Sequence, residues 1–244
     1  MCVDGVFNLN KPPGMTSRQA VDRVKRVLKA PKAGHGGTLD PEATGVLLVC
    51  LGKGTKLFDQ LQLGTKEYEG TLRLGITTDT LDASGRVQSV SDVGQVTPEK
   101  IRVIAQQFVG EIVQAVPMYS AVKYRGKRLY KLAHRGVELE ELPKRTVHVQ
   151  SVEILSVRLP DVRFRVVCSK GTYIRVLAAD IGASLGCGAH LTQLTRTRSG
   201  NFTLESSHTL EWLEEQPRRG HEAVVPVDAV IETSDGASAV TCCR

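Results

Sequence analysis

Strand-like alternation and helix-like periodicity are interleaved along this chain, but without the regular strand–helix succession that builds a doubly wound parallel sheet. Val162, Phe164, Val166 and Cys168 alternate with Arg163 and Arg165, while Tyr68, Leu72 and Leu74 share a face opposite Glu67, Glu69, Thr71 and Arg73. Both patterns predict strands, and a shorter one is expected near Val6 to Leu9. Ala20, Val21, Val24, Val27 and Leu28 recur at helical spacing behind Thr16 and Ser17, either a good helix cap. Arg18, Arg23, Lys25, Arg26 and Lys29 fall largely on its other faces. A second helix is expected to open at Thr97 and Pro98, turn Ile101, Ile104, Ala105 and Phe108 inward and close at Gly110. A third carries Ile174, Leu177, Ala178, Ile181 and Leu185 and ends at Gly186. The expected class is α+β, with a largely antiparallel sheet flanked by helices.

Composition excludes several kinds of protein. With 41% hydrophobic and 24% charged residues in 244, the chain can bury a sizeable core. The longest apolar run, Val46 to Leu51, is far too short to span a bilayer, and the opening MCVDGVFNLNKPPG lacks a signal peptide's apolar centre, so a cytoplasmic protein is expected. Six cysteines (Cys2, Cys50, Cys168, Cys187, Cys242, Cys243) form no CxxC and six histidines no HExxH; no metal site is expected. The formal charge of +6 suits a polyanionic partner, although a merely solvated basic surface explains it equally well. Six cations, Lys123, Arg125, Lys127, Arg128, Lys131 and Arg135, crowd the segment from Met118 to Leu142, expected as a loop and short helix that grips RNA or simply faces solvent. Thr233 to Arg244 reads as a flexible tail.

The densest constellation is GHGGTLDPEATGVLLVCLG at 34 to 52, where glycines permit close backbone approach and Pro41 favours an extended Asp40. There is no P-loop ending and no GxGxxG, which disfavours nucleotide binding. Taken alone, an aspartate in such a loop is more often a turn residue or cap than a catalyst.

This stretch, extended through KGTK, resembles the signature of TruB-type tRNA pseudouridine synthases. Further segments agree in order and spacing: VFNLNKPPGMTS at 6 to 17, KEYEGTLRLGITTDTLDASG at 66 to 85, and CSKGTYIRVLAADIGASLGCGAHLTQLTRTRSG at 168 to 200. MYSAVKYRGKRLYKLAHRG, 118 to 136, is similar to the family's thumb. The resemblance implies a pseudouridine synthase fold with a central RNA-binding cleft, a catalytic domain over 1 to 232 with the thumb at about 118 to 143, and a tail over 233 to 244. It implies that Asp40 is the catalytic aspartate, Tyr68 the tyrosine stacking on the target base, and Arg175 the partner of the carboxylate. Tyr173 and Leu194 correspond to residues lining the uracil pocket. Lys11 and Pro12 correspond to the KP motif beneath the active-site loop, His35 to the histidine that rearranges the T-loop, and Asp82 to an acidic member of the active-site network. Lys123, Arg125 and Lys127 would hold phosphates.

The implied activity is isomerisation of uridine 55 in the T-loop of tRNA, without cofactor or metal, by a monomer needing no protein partner. Family members commonly carry a C-terminal PUA domain, and with so little sequence after VVPVDAVI, 224 to 231, none is expected here. Guide-dependent synthases share a similar signature but rely on that domain, which favours a stand-alone role. An RNA-folding factor on the same scaffold, or a synthase aimed at another uridine, are the competing readings.

Overall fold

A computed structural model describes residues 3–235, except 134, 138 and 140. In chain order the elements are β1 (Gly5–Lys11), α1 (Ser17–Val27), β2 (Ala33–His35), β3 (Thr44–Leu51), a 3-10 turn (Gly52–Leu57), α2 (Phe58–Leu63) and β4 (Lys66–Leu74). There follow β5 (Ile76–Thr78), β6 (Val87–Val90), α3 (Pro98–Gln106), β7 (Gly110–Ala115), β8 (Lys123–Tyr124), β9 (Lys127–Arg128) and α4 (Leu129–Ala133). The chain continues through β10 (Lys144–Arg158), β11 (Asp161–Cys168), α5 (Ile174–Leu185), β12 (Ala189–Ser199) and β13 (Phe202–Thr203). It closes with α6 (Leu210–Glu215), α7 (Pro217–Glu222), β14 (Val225–Pro226) and α8 (Val227–Asp235). The composition is α+β, and pairing is antiparallel except between β3 and β12 among the pairs described.

Contacts divide the chain into two compact units, 1–68 with 195–244, and 69–194. In the first, the strand order is β14, β1, β3, β12. β1 runs antiparallel to β3 from Gly5 opposite Leu51 to Lys11 opposite Gly45, while β12 lies parallel to β3, with Arg196 opposite Gly45. Val6, Val46, Leu48, Cys50, Leu57 and Val230 form a buried cluster there. α1 starts where the sequence signals it: Thr16 accepts from the Gln19 N–H, and the Gln19 side chain accepts from the Thr16 N–H in return.

In the second unit β4, β11, β10 and β7 are neighbours in that order. Leu72, Leu74, Val162, Phe164 and Val166 are fully buried, and α3 and α5 pack together beside β10 and β7. The polar side of these strands carries Arg73 on Asp161 at 2.8 Å and Arg165 on Glu69 at 2.7 Å.

Two expectations need correction. α3 ends at Gln106 rather than Gly110; Gly110, at φ 108°, instead opens β7, because the short turn from helix to strand requires a backbone that glycine adopts without strain. The basic segment holds a hairpin as well as the short α4: Lys123 pairs with Arg128 and Tyr124 with Lys127. Arg125 and Gly126 both have positive φ, 47° and 81°, as a two-residue hairpin turn of the I′ kind demands. α8 reaches Asp235, and the remainder of the expected tail, with Cys2, Cys242 and Cys243, lies outside the described residues.

Candidate active site

The register of β1 on β3 puts the end of the first strand beside the entry to the second, so the KPPG turn and the Asp40 loop are neighbours. Lys11 exploits that proximity. Its ammonium, fully buried, donates to the carbonyls of Pro12 at 2.7 Å, Met15 at 2.7 Å and Pro41 at 2.8 Å. Burial pushes its pKa down to about 8, against the opposing pull of Glu42 and Asp40. From α1, the Ser17 hydroxyl donates to the Leu39 carbonyl at 2.9 Å and accepts from the Leu39 N–H at 2.8 Å. The residues on either side of Asp40 are therefore both tied down. Asp40 itself closes a turn, its carbonyl accepting from the Ala43 N–H at 3.1 Å with Pro41 in the second position. The partly exposed Asp40 carboxylate stands on a loop anchored on both sides of it.

Arg196, on β12, completes the frame. It is 2% exposed, and its guanidinium donates from Nε to the Val46 carbonyl at 2.7 Å, from Nη2 to Gly37 at 3.2 Å and from Nη1 to Thr38 at 3.5 Å. Its charge also lies 6.0 Å from the ring centre of Tyr68, which is itself buried. His35, at the end of β2, has its pKa lowered by burial and by Arg196 and Arg18, with the Gly37 backbone opposing; the ring is neutral near pH 7. Lys11, His35, Asp40 and Tyr68 thus belong to one unit.

The second unit assembles another group. Arg175 enters the first turn of α5, where the helix dipole disfavours a cation. Acceptors compensate: Nη2 donates to the Tyr119 carbonyl at 2.7 Å, Nη1 to Thr80 at 3.4 Å, and Asp82 lies 3.9 Å away. Asp82 is held by the Thr80 hydroxyl at 2.6 Å and the Ser84 N–H at 3.0 Å. The peptide of Tyr173, the residue that caps α5, is fixed by buried Gln114, whose amide accepts from its N–H at 2.9 Å and donates to its carbonyl at 3.2 Å. The half-buried Tyr173 ring has Arg145 at 6.0 Å from its centre. Leu194 is partly exposed in β12.

Lys123, Arg125 and Lys127 are exposed on the β8–β9 hairpin, with Arg125 stacked 5.3 Å from the Tyr124 ring centre. A cavity of about 650 Å³ on the polar side of the second unit, lined by Arg73, Arg158, Arg163 and His190 among others, holds none of the expected site residues. Among the described residues no group of histidine, cysteine and carboxylate side chains is placed to hold a metal ion.

A carboxylate whose flanking backbone is anchored on both sides fits a reaction that needs one oriented group. Residues 25–174 match the TruB family pseudouridylate synthase (N terminal domain), and residues 175–236 the tRNA pseudouridylate synthase B C-terminal domain. The chain belongs to the TruB family. Over 232 residues it is 49% identical to the tRNA pseudouridine synthase B of Burkholderia mallei, covering 95% of this chain and 76% of that protein. That of Syntrophus aciditrophicus is 48% identical, covering 96% and 73%. Among solved structures, a chain of a Cbf5-Nop10-Gar1 complex superposes with a TM-score of 0.73 at 35% identity, over 95% of this chain and 62% of that one. The pseudouridine synthase fold is shared with it.

Within this TruB-family chain, sequence reasoning missed Ser17, Gln114, Tyr119 and Arg196. Ser17 had a signal as a cap candidate, yet Thr16 caps α1 and frees the Ser17 hydroxyl for Leu39. Arg196 sits inside the segment 168 to 200 that carries the family resemblance, but no local pattern singles it out from its neighbours. Gln114 and the Tyr119 carbonyl left no signal, because their partners are distant in sequence.

Proposed function

We propose that this chain isomerises uridine 55 in the T-loop of tRNA to pseudouridine, with Asp40 as the catalytic residue. The reaction breaks the bond from C1′ to N1, turns the uracil, and joins C1′ to C5; C5 loses a proton and N1 gains one, so the product has the atoms of the substrate. Nothing is oxidised and no phosphate is consumed. A carboxylate serves either as nucleophile at the sugar or as acid–base and electrostatic partner. The target base must leave its stack at a cost of about a few kcal/mol, which a closed pocket with aromatic partners offsets.

The observation that carries this reading is the anchored Asp40 loop, with Leu39 held by Ser17 and Pro41 by Lys11, in a chain of the TruB family. In this reading Tyr68 stacks on the base and moves a proton, and Arg175 keeps the catalytic carboxylate ionised. Tyr173 and Leu194 line the uracil pocket, and Asp82 steadies Arg175. His35 engages the T-loop, Lys11 supports the loop from below, and Lys123, Arg125 and Lys127 hold phosphates of the T-arm without reading sequence. The protein acts in the cytoplasm as a monomer without an obligatory protein partner; its higher identity to the curated tRNA synthases than to the Cbf5 chain supports independent action. Among the described residues no helix is long and apolar enough to cross a membrane.

The test is to map pseudouridine in uridine-containing tRNA after incubation with the purified protein. Conversion at position 55 is expected. Conversion elsewhere only would redirect the substrate, and annealing of RNA with no conversion would favour a folding factor.

A further inference from the structure

Gly45 lies in β3 between two neighbours, with Lys11 opposite on β1 and Arg196 opposite on β12. A Cβ at Gly45, whose φ is 96°, would come 2.3 Å from the Arg196 carbonyl oxygen, so the approach of the two strands here leaves no room for a side chain. The two cations flanking this point are both buried and both spend their donors on backbone carbonyls. Lys11 secures Pro41, just after Asp40, and Arg196 secures Gly37 and Thr38, just before it. The third arm of the guanidinium holds Val46, beyond the loop. One planar group thereby fixes the distance between the two ends of the segment that presents Asp40.

Arg196 forms no ion pair among the described residues. Burying a charge against neutral carbonyls alone is costly, and an apolar side chain of similar volume would fill the space more cheaply if filling space were the only requirement. The guanidinium also lies by the Tyr68 ring, so the same side chain spaces the loop from the aromatic residue of the site.

We propose that Arg196 is a positioning residue of the isomerisation, setting the Asp40 loop against Tyr68 through its three divergent donors. The proposal rests on the assignment of Asp40 made above. Lysine does not replace it, because a single ammonium nitrogen cannot reach carbonyls on both sides of the loop from one planar frame. Misplacing a reacting group by about 1 Å costs on the order of a hundredfold in rate, so a relaxed loop lowers the chemical step while RNA contacts elsewhere persist.

The experiment is single-turnover conversion of tRNA by excess enzyme, for wild type, R196K and R196Q, with tRNA affinity measured by filter binding. The rate constant at saturating enzyme separates the two possible roles: loss of folded protein only raises the total enzyme needed to saturate, whereas loss of position lowers the saturating rate constant itself. A Leu57→Ala variant, which opens the core of the same unit, controls for destabilisation alone. The expected result is a saturating rate constant at least tenfold below wild type for R196K, with affinity within threefold. R196Q, which keeps a donor for Val46 and loses those for the loop, is read in the same way should R196K not fold. Variants as fast as wild type, or a slowing that L57A reproduces at equal loss of melting temperature, would overturn the proposal. An inactive wild type would instead remove the synthase reading on which it rests.

Discussion

The ammonium of Lys11 lies 2.8 Å from the carbonyl oxygen of Pro41, one residue beyond Asp40, so a buried cation on the first strand holds the backbone that carries the candidate catalytic carboxylate. Its two other donors hold the turn that follows β1. Replacement by methionine keeps the length and leaves three carbonyls without their donor. Each buried polar group left unsatisfied costs about 1–3 kcal/mol, so K11M is expected to lose several kcal/mol in chemical denaturation and to lose activity with it.

The pH dependence of that loss is distinctive. Folding lowers the Lys11 pKa from 10.5 to about 8. Between those values the unfolded chain binds the proton and the folded chain does not, so the Lys11 contribution to stability rises with pH across this window and is flat below it. The stability difference between wild type and K11M should therefore be larger at pH 10 than at pH 7.5. A difference that shrinks with pH would show that the ammonium is not the desolvated group described here.

Asp40→Asn keeps the shape of the side chain and removes its charge. Acid–base participation contributes about 10²–10⁴ in rate, so conversion should fall by at least about a hundredfold while tRNA affinity and melting temperature stay near wild type. Comparable turnover by the variant would dismiss Asp40 as the catalyst.

Ser17→Ala removes both hydrogen bonds to Leu39 and adds no volume. The buried peptide groups so orphaned cost about 2 kcal/mol, which for a chain of this size is roughly 4–8 °C in melting temperature. An unchanged melting curve would show that water or a rearranged loop takes over.

Arg175→Lys retains the charge but not the fork that reaches the Tyr119 and Thr80 carbonyls. A rate reduction above about tenfold, equivalent to about 1.4 kcal/mol, is expected with little change in folding. If single-turnover rates stayed within threefold, the planar group would be dispensable to the chemistry.

Replacing Lys123, Arg125 and Lys127 together by alanine strips the exposed β8–β9 hairpin of charge. Binding should weaken and lose salt dependence, by about 0.7–0.9 in the log–log slope for each phosphate contact removed, while the rate at saturating RNA changes little. An unaltered slope would place the RNA contacts elsewhere.

Much of this was written in local sequence. The Thr16 cap, the span of α5 ending at Gly186, the alternation of β4 and β11 and the glycine–proline setting of Asp40 are short-range effects, dictated by side-chain sterics, capping and periodicity within a few residues. The family resemblance named the candidate residues as well. Tertiary structure decided what those residues touch. That Lys11, Ser17 and Arg196 converge on the Asp40 loop follows from the register of β1 and β12 on β3 and the placement of α1, pairings between segments as much as 159 residues apart. Burial reversed the ordinary reading of three cations: Lys11, Arg175 and Arg196 look like surface residues in sequence, yet lie among backbone carbonyls. No local pattern encodes that, because a buried charge is tolerated only where distant parts of the chain supply enough acceptors to replace the water it gives up.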